Sequence, residues 1–355
     1  MLNHKHNMQH IRFICTLLSL CFIIGCNAQK QTQAYDWQAY KYAFMHNDGA
    51  IVDDANQHVR HTEAQGIGML LAVVNQDKPS FLKIWKWTKE KLQIRKDDNL
   101  FSWQWREQKP HVPDLNNASD GDILIAWALL RAAHEWQDLL LQKEATKIMR
   151  DIKQQLIVKH AGYTLLLPGQ FGFQKTHNVQ VNLSYWVFPA LYAFQDAEPQ
   201  DPIWSELITS GLRLLEYAKF GAWKMPPDWL GVGTTQLHIA QGFPRHFGLD
   251  AVRIPLYLAW AGHGQHSAAQ RANNFWQTFS GKGAYPDWLL LDDTTVHLAE
   301  SVEGVKAIAA LTHAAIQTPY ESQPMFPNPI QKKIQYYHAS LILLSQLAWQ
   351  EIPKE

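Results

Sequence analysis

The sequence predicts an all-α fold in which helical hairpins close into a toroid, and three observations carry that prediction. Apolar residues recur every three or four positions along nearly every long segment, and helices of this kind must bury their apolar stripes against one another. No fixed-period repeat runs through the chain, which argues against a solenoid. Beyond the short polar stretch Gln29 to Ala34 there is no Pro/Gly/Ser-rich linker, low-complexity tract or long charge run. One continuous domain over residues 35–355 follows.

The elements are read in order. Asp36 to Phe44 carries Trp37, Tyr40, Tyr42 and Phe44 ahead of a turn cluster, His46-Asn47-Asp48-Gly49. Glu63 to Val74 is strongly apolar, and Pro79 to Lys91 places Phe81, Ile84, Trp85 and Thr88 at helical spacing. Asp122 to Leu141 reads as one helix, with Ile123, Ala126, Trp127, Leu130, Ala133 and Leu140 on its apolar positions. The series continues with Ala145 to Val158, Tyr185 to Phe194, Trp204 to Tyr217, Ala251 to Gly262, Arg271 to Phe279, Val302 to Ile316 and Lys332 to Trp349. Strand-like stretches are short, and Tyr163 to Leu167 is the best of them.

Composition narrows the function. The chain has 355 residues, with 32 basic and 32 acidic side chains, 18% charged residues and 15 Trp. A balanced charge disfavours nucleic-acid binding, which needs a clustered positive excess. Ample apolar material disfavours disorder. Cys15, Cys21 and Cys26 are the only cysteines. They fall in a segment that reads as a secretory signal: Lys5 and Arg12 ahead of an apolar run, Phe13 to Gly25. Gly25-Cys26 after aliphatic residues resembles a bacterial lipobox. Residues 1–25 are then a lipoprotein signal peptide, Cys26 is the lipidated new N-terminus, and residues 26–34 are a short tether. Ordinary cleavage after Ala28 is the alternative. Removing Lys5 and Arg12 leaves 30 basic and 32 acidic residues, a net of −2. All 15 Trp remain.

Three segments set a carboxylate beside glycine or aromatic residues at a helix start. In Thr62-Glu63-Ala64-Gln65-Gly66-Ile67-Gly68, Thr62 as cap and Glu63 as a first-turn acid is the ordinary structural reading. The two glycines, each costing about 1 kcal/mol relative to Ala in a helix, point to close backbone packing or ligand approach. In Ser119-Asp120-Gly121-Asp122, a capping arrangement between Ser119 and Asp122 leaves Asp120 unexplained. In Leu249-Asp250-Ala251-Val252-Arg253, Asp250 reads as an N-cap paired with Arg253. A pair of carboxyl groups, one protonated and one ionised, is what glycosidic cleavage requires, and aromatic rings suit sugar faces. No phosphate-cradling glycine loop, nucleophilic Ser or Cys arrangement or histidine cluster with metal spacing stands out, His297 included. No cofactor and no metal are therefore expected.

At these residues the sequence resembles glycoside hydrolase family 8, the endoglucanase family that includes the cellulase of bacterial cellulose-synthesis systems. The likeness covers essentially the whole mature chain. It rests on Ala118-Ser119-Asp120-Gly121-Asp122 with Ile125-Ala126 and Trp136, on the Glu63 segment and on the Asp250 segment. Leu100 to Trp105, Leu166 to Gly169, Asn182 to Tyr185 and Pro226 to Trp229 support it. The resemblance implies an (α/α)6 barrel and inverting hydrolysis of β-1,4-glucan. Glu63 would be the general acid, Asp250 the general base and Asp120 the residue positioning the sugar at the cleavage subsite. Trp105, Tyr185 and Trp229 read as substrate-binding, with hydrophobic core as the alternative for each and Trp229, in a loop-like segment, leaning to the cleft; Arg253 would bind substrate and hold Asp250 ionised. Burial would have to raise the pKa of Glu63. Inversion wants the two carboxyls about 6.5–9.5 Å apart.

Three positions depart from the family pattern: Ala64 stands for a glycine, and Ile67 and Leu249 stand for aromatics. The expected protein is a monomeric, exported, periplasmic endo-β-1,4-glucanase anchored by lipid to the outer membrane. Its partner is a β-1,4-glucan, with a place beside a cellulose synthase and no contact with nucleic acid. A chitosanase or xylanase of the same family, and a glycan-binding lipoprotein that no longer hydrolyses, are the alternatives.

Overall fold

A computed structural model describes residues 36–281, 284–299, 302–317, 323–328 and 334–352. The signal segment and Cys26 lie outside the described residues. Those from Asp36 onward group as one compact unit.

Eleven α-helices occur among the described residues. They are α1 (Trp37–Phe44), α2 (Thr62–Val74), α3 (Lys78–Lys91), α4 (Ser119–Trp136), α5 (Leu139–Leu156), α6 (Phe188–Ala197), α7 (Ile203–Tyr217), α8 (Ile254–Trp260), α9 (Ser267–Ser280), α10 (Glu303–Ala315) and α11 (Tyr336–Glu351). Burial sorts them into two layers. Helices α2, α4, α8, α10 and α11 are buried on nearly every side, and α6 is mostly covered. Helices α3, α5, α7 and α9 each keep one wet face. A helix that is apolar all round belongs inside, and an amphipathic one belongs outside. The inner helices pack in sequence, α2 on α4, α4 on α6, α6 on α8, and α8 on α10 and α11. Each amphipathic helix backs its predecessor from outside. This is an (α/α)6 barrel.

Local chemistry sets the helix boundaries. Asp36 caps α1 through Ala39 N at 3.0 Å, and Asp77 caps α3 through Ser80 N at 3.1 Å. Asp77 also receives Trp37 Nε1 at 2.9 Å and Lys41 Nζ at 2.7 Å, so one carboxylate ties α1 to α3. The expected helix from Asp122 to Leu141 is two helices. Gln137 turns left-handed at φ 51°, and Asp138 then caps α5 by accepting from Leu140 N at 3.0 Å. The following helix stops at Leu156, short of the expected Val158, because the β-branched Ile157 and Val158 enter a strand.

The strands are short and lie in the connections. They are β1 (Arg60–His61), β2 (Gln104–Trp105), β3 (Ile157–His160), β4 (Tyr163–Leu166), β5 (Gln174–Lys175), β6 (Asn178–Val181), β7 (Leu230–Gly233), β8 (Leu237–Ile239), β9 (His246–Phe247), β10 (Trp288–Leu290) and β11 (Val296–His297). Antiparallel pairing gives the orders β1-β2, β3-β4, β5-β6-β7-β8 and β11-β10-β9. The β1–β2 pair runs directly into α2, and β9 leads into the turn before α8. These connections fix the N-terminal mouth of the inner ring.

Candidate active site

Glu63 stands on the first turn of α2. The cap is His61, whose Nδ1 accepts from Ala64 N at 3.2 Å, and Thr62 is already helical. Thr62 N donates to Trp103 O at 2.9 Å, which locks the helix start onto the β1–β2 pair. The glycines explain how α4 comes so close. A Cβ on Gly66 would lie 2.6 Å from Leu124 Cβ, and one on Gly121 would overlap Thr62 Oγ1 and lie 2.9 Å from Glu63 N. Close packing of the two helix starts therefore brings Asp120 beside Glu63.

The two acids of the Asp120-Gly121-Asp122 run part company. Ala118 occupies the cap position of α4 without a side-chain bond, so the expected Ser119–Asp122 capping arrangement does not form. Asp122 instead accepts from Phe101 N at 3.0 Å and Asn117 Nδ2 at 2.7 Å, holding two loops inside the core. Asp120, 5% exposed, faces the other way, toward Glu63 and Arg253.

Asp250 opens a 3₁₀ turn, Ala251–Arg253, which runs straight into α8 with Pro255 in its first turn. Its side chain caps nothing; Asp228 takes that role, accepting from Gly248 N and Ala251 N at 2.8 Å each. Arg253, only 4% exposed, is the hub. Its Nη2 donates to Asp250 Oδ1 at 2.8 Å and to Ser184 Oγ at 3.1 Å. Its Nη1 donates to Glu63 and lies 3.7 Å from Asp120 Oδ2. One guanidinium thus meets Glu63, Asp120 and Asp250, acids that are far apart in the chain. Glu63 and Asp120 also sit at N-terminal helix ends, where partial positive charge favours anions.

Burial dominates the proton affinities here. Burial raises the pKa of Asp120 to about 7; the negative charge of Glu63 pushes the same way, and Arg253 opposes both. Burial raises Asp250 to about 6 against the pull of Arg253, with the charges of Asp228 and Glu63 adding to the rise. The phenol of Tyr185 is pushed well up by burial and by the neighbouring Asp120 and Asp250, so it keeps its proton.

The aromatic residues read as substrate-binding are engaged with other side chains. His111 stacks on the Trp105 ring at 4.8 Å, and the Arg60 guanidinium lies 4.5 Å from it. Trp229 is stacked almost parallel by Phe243 at 4.1 Å and Phe173 at 5.7 Å. A sugar stacking on an indole face that one of these groups covers has to displace it. Phe173 and Trp229 precede β5 and β7, and Phe243 follows β8, so the antiparallel four-stranded sheet gathers them at one end. Tyr185 meets Trp229 edge-on at 6.2 Å, and Arg253 lies 5.9 Å from its ring. Tyr185 therefore joins the aromatic group to the acids.

The family model described as "Glycosyl hydrolases family 8" matches residues 12–351. The chain belongs to that family. A protein named "Probable endoglucanase" from Novacetimonas hansenii is 36% identical over 318 residues, covering 89% of this chain and 90% of the relative. The endo-β-1,4-glucanase CMCax from Acetobacter xylinum superposes with a TM-score of 0.81 at 36% identity, covering 89% of this chain and 97% of that one. The family 8 endoglucanase Cel10 from Klebsiella pneumoniae gives 0.79 at 37% identity, with coverages of 89% and 98%.

Within family 8 terms, the three departures differ in place. Ala64 and Ile67 are buried in the core, whereas Leu249, beside Asp250, is 49% exposed. Only Leu249 stands where an altered side chain meets solvent directly. Several site residues carried no assigned role at the sequence level. Ser184 and Asp228 lie in segments whose family likeness was legible, but their partners were not. Tyr337, whose hydroxyl donates to Leu249 O, comes from α11 at the far end of the chain and gave no local signal.

Proposed function

We propose that this family 8 protein is an endo-β-1,4-glucanase that cuts cellulose-type glucan with inversion. The observation that carries the reading is the cluster of Glu63, Asp120 and Asp250 around one buried guanidinium, in a chain 36% identical to endoglucanases over most of its length. In the reaction Glu63 gives its proton to the leaving glycosidic oxygen as the C1–O bond breaks. Asp250 takes a proton from water as the water oxygen bonds to C1 from the opposite face. Asp120 accepts hydrogen bonds from the sugar at the cleavage point and holds it distorted. Arg253 keeps Asp250 charged. With a pKa of about 6, Asp250 is an ionised base at neutral pH yet basic enough to accept a proton.

Reducing ends should appear from carboxymethylcellulose, and the first sugar anomer seen by NMR should be α, since a β bond is inverted. No product from any soluble β-glucan would sink the hydrolase reading. A β anomer appearing first would sink inversion alone.

The same proposal places the protein outside the cytoplasm as a monomer, tethered to the outer membrane through lipid on Cys26 and acting on nascent glucan beside a cellulose synthase. The lipobox-like Gly25-Cys26 supports the tether. Palmitate incorporation should be lost in Cys26→Ser; undiminished labelling of that variant would refute the anchor.

A further inference from the structure

The turn that carries Asp250 is held by a pair of side chains to which the hydrolytic reading gives no part. Asp228, 4% exposed, lies just before β7. Its Oδ1 accepts from Gly248 N and Ala251 N at 2.8 Å each, the two amides that straddle Leu249 and Asp250. Its Oδ2 lies 2.8 Å from His246 Nε2, and its own amide donates to His246 O at 2.9 Å. The packing at Gly248 is close enough that a larger residue would push the pair aside. A Cβ there would lie 2.9 Å from Asp228 Oδ2 and 2.8 Å from His246 Cδ2. On the other side Tyr337 holds Leu249 O. The backbone under Asp250 is thus clamped, and one end of the clamp is a histidine–carboxylate pair.

We propose that Asp228 is a positioning residue for Asp250 and that the charge on His246 sets, through Asp228, how tightly Asp250 holds its proton. The kinetic side of this rests on Asp250 acting as the general base. The groups facing Asp250 are Arg253 from its own turn, Glu63 from α2, Asp120 from α4, Asn182 and Tyr185 from the segment before α6, Asp228 from the segment before β7, His246 from β9 and Tyr337 from α11. Those facing His246 are Asp228, Asp250 and the Trp288 ring of β10 at 5.9 Å. Arg253 favours the charged form of Asp250, whereas Asp228 and Glu63 disfavour it. The Asp228 contact raises the pKa of His246, favouring the charged imidazolium.

The signs follow. Asp228→Asn keeps an oxygen for both amides and deletes a negative charge near Asp250, so the Asp250 midpoint falls by about 0.5–1 pH unit. His246→Gln deletes the positive charge that offsets Asp228, so the midpoint rises by a similar amount. The double variant returns near wild type. Two readouts on the full mature chain test this: the acid limb of kcat/KM against pH, and the 13C titration of the Asp250 carboxyl, assigned by its loss in Asp250→Asn. Opposite shifts of the carboxyl titration in the two single variants are expected, with the rate limb following. A role confined to holding the backbone would lower rates without opposite shifts. Carboxyl midpoints that stay put, or move in one direction in both variants, overturn the proposal. Opposite carboxyl shifts with an unmoved rate limb uphold the coupling and remove Asp250 from the role of base.

Discussion

Asp250→Asn is expected to lower kcat/KM on soluble β-glucan by about 10³–10⁴-fold, and Glu63→Gln by a comparable factor. Both changes preserve shape, and both residues sit on helix starts fixed by other side chains, so neither loss of rate should come from unfolding; Asp250→Asn removes a buried carboxyl raised to about 6, so its melting temperature should rise rather than fall at neutral pH. The two losses differ in one respect that separates the roles. An aryl cellobioside with a strongly acidic phenol leaves without protonation. Glu63→Gln should therefore recover much of its rate on that substrate, whereas Asp250→Asn should stay slow, because water still needs its proton removed. The double variant should be scarcely worse than Asp250→Asn on the activated substrate, as residues acting in one step are not additive. Recovery by Asp250→Asn and not by Glu63→Gln would exchange the two assignments. Full activity in either on cellulose-type polymer would remove that residue from the chemistry.

The helical ring was legible because burial leaves a period. Segments such as α2, α7 and α10 begin and end within a residue or two of the apolar pattern that announced them. The pattern failed where apolar spacing ran unbroken through a change of direction. Between Trp136 and Leu139 no glycine or proline marks the break; only a left-handed Gln137 and the Asp138 cap do so. At the end of α5 the clue was chemical, since Ile157 and Val158 are β-branched and Ala161 and Gly162 supply a positive-φ turn of 49° and 77°. The acids were found because each lies in a short segment with its own family likeness. Their common partner was half legible: Arg253 is three residues from Asp250, but its contact with Glu63 spans 190 positions. The clamp on the base was not legible as a unit. Asp228 and His246 are joined by an intervening hairpin, β7–β8, whose length alone says nothing about which side chains meet. The stacking of Phe243 on Trp229 arises from the same hairpin, which is why Trp229 looked free for sugar.

The acid cluster also makes two opposite stability predictions. Arg253→Met leaves Glu63, Asp120 and Asp250 without their shared buried cation, and breaking a buried ion cluster from one side costs about 3–5 kcal/mol. The loss should depend on pH. Without the guanidinium the folded-state pKa values of Asp120 and Asp250, already raised to about 7 and about 6, rise further above the unfolded value near 3.8. A carboxyl whose folded pKa is raised costs stability as pH climbs through that window and costs nothing below the unfolded value. The gap between variant and wild-type melting temperatures should therefore be wide at pH 8 and narrow toward pH 4. Asp120→Asn runs the other way. In the wild type the folded protein bears the strain of ionising a buried Asp120 between its ordinary pKa and about 7. Asparagine removes that strain, so the variant should gain on the order of a few kcal/mol above pH 7 and little near pH 4, while hydrolysis falls. Thermal melts across that range read both. An Arg253→Met protein as stable as wild type at pH 8 would show that the guanidinium does not hold the cluster together. An Asp120→Asn protein destabilised at every pH would show that Asp120 contributes a structural contact outweighing its burial. Opposite shifts from neighbouring residues would mean that the mouth of the barrel keeps a destabilising carboxylate in place because substrate, not folding, needs it there.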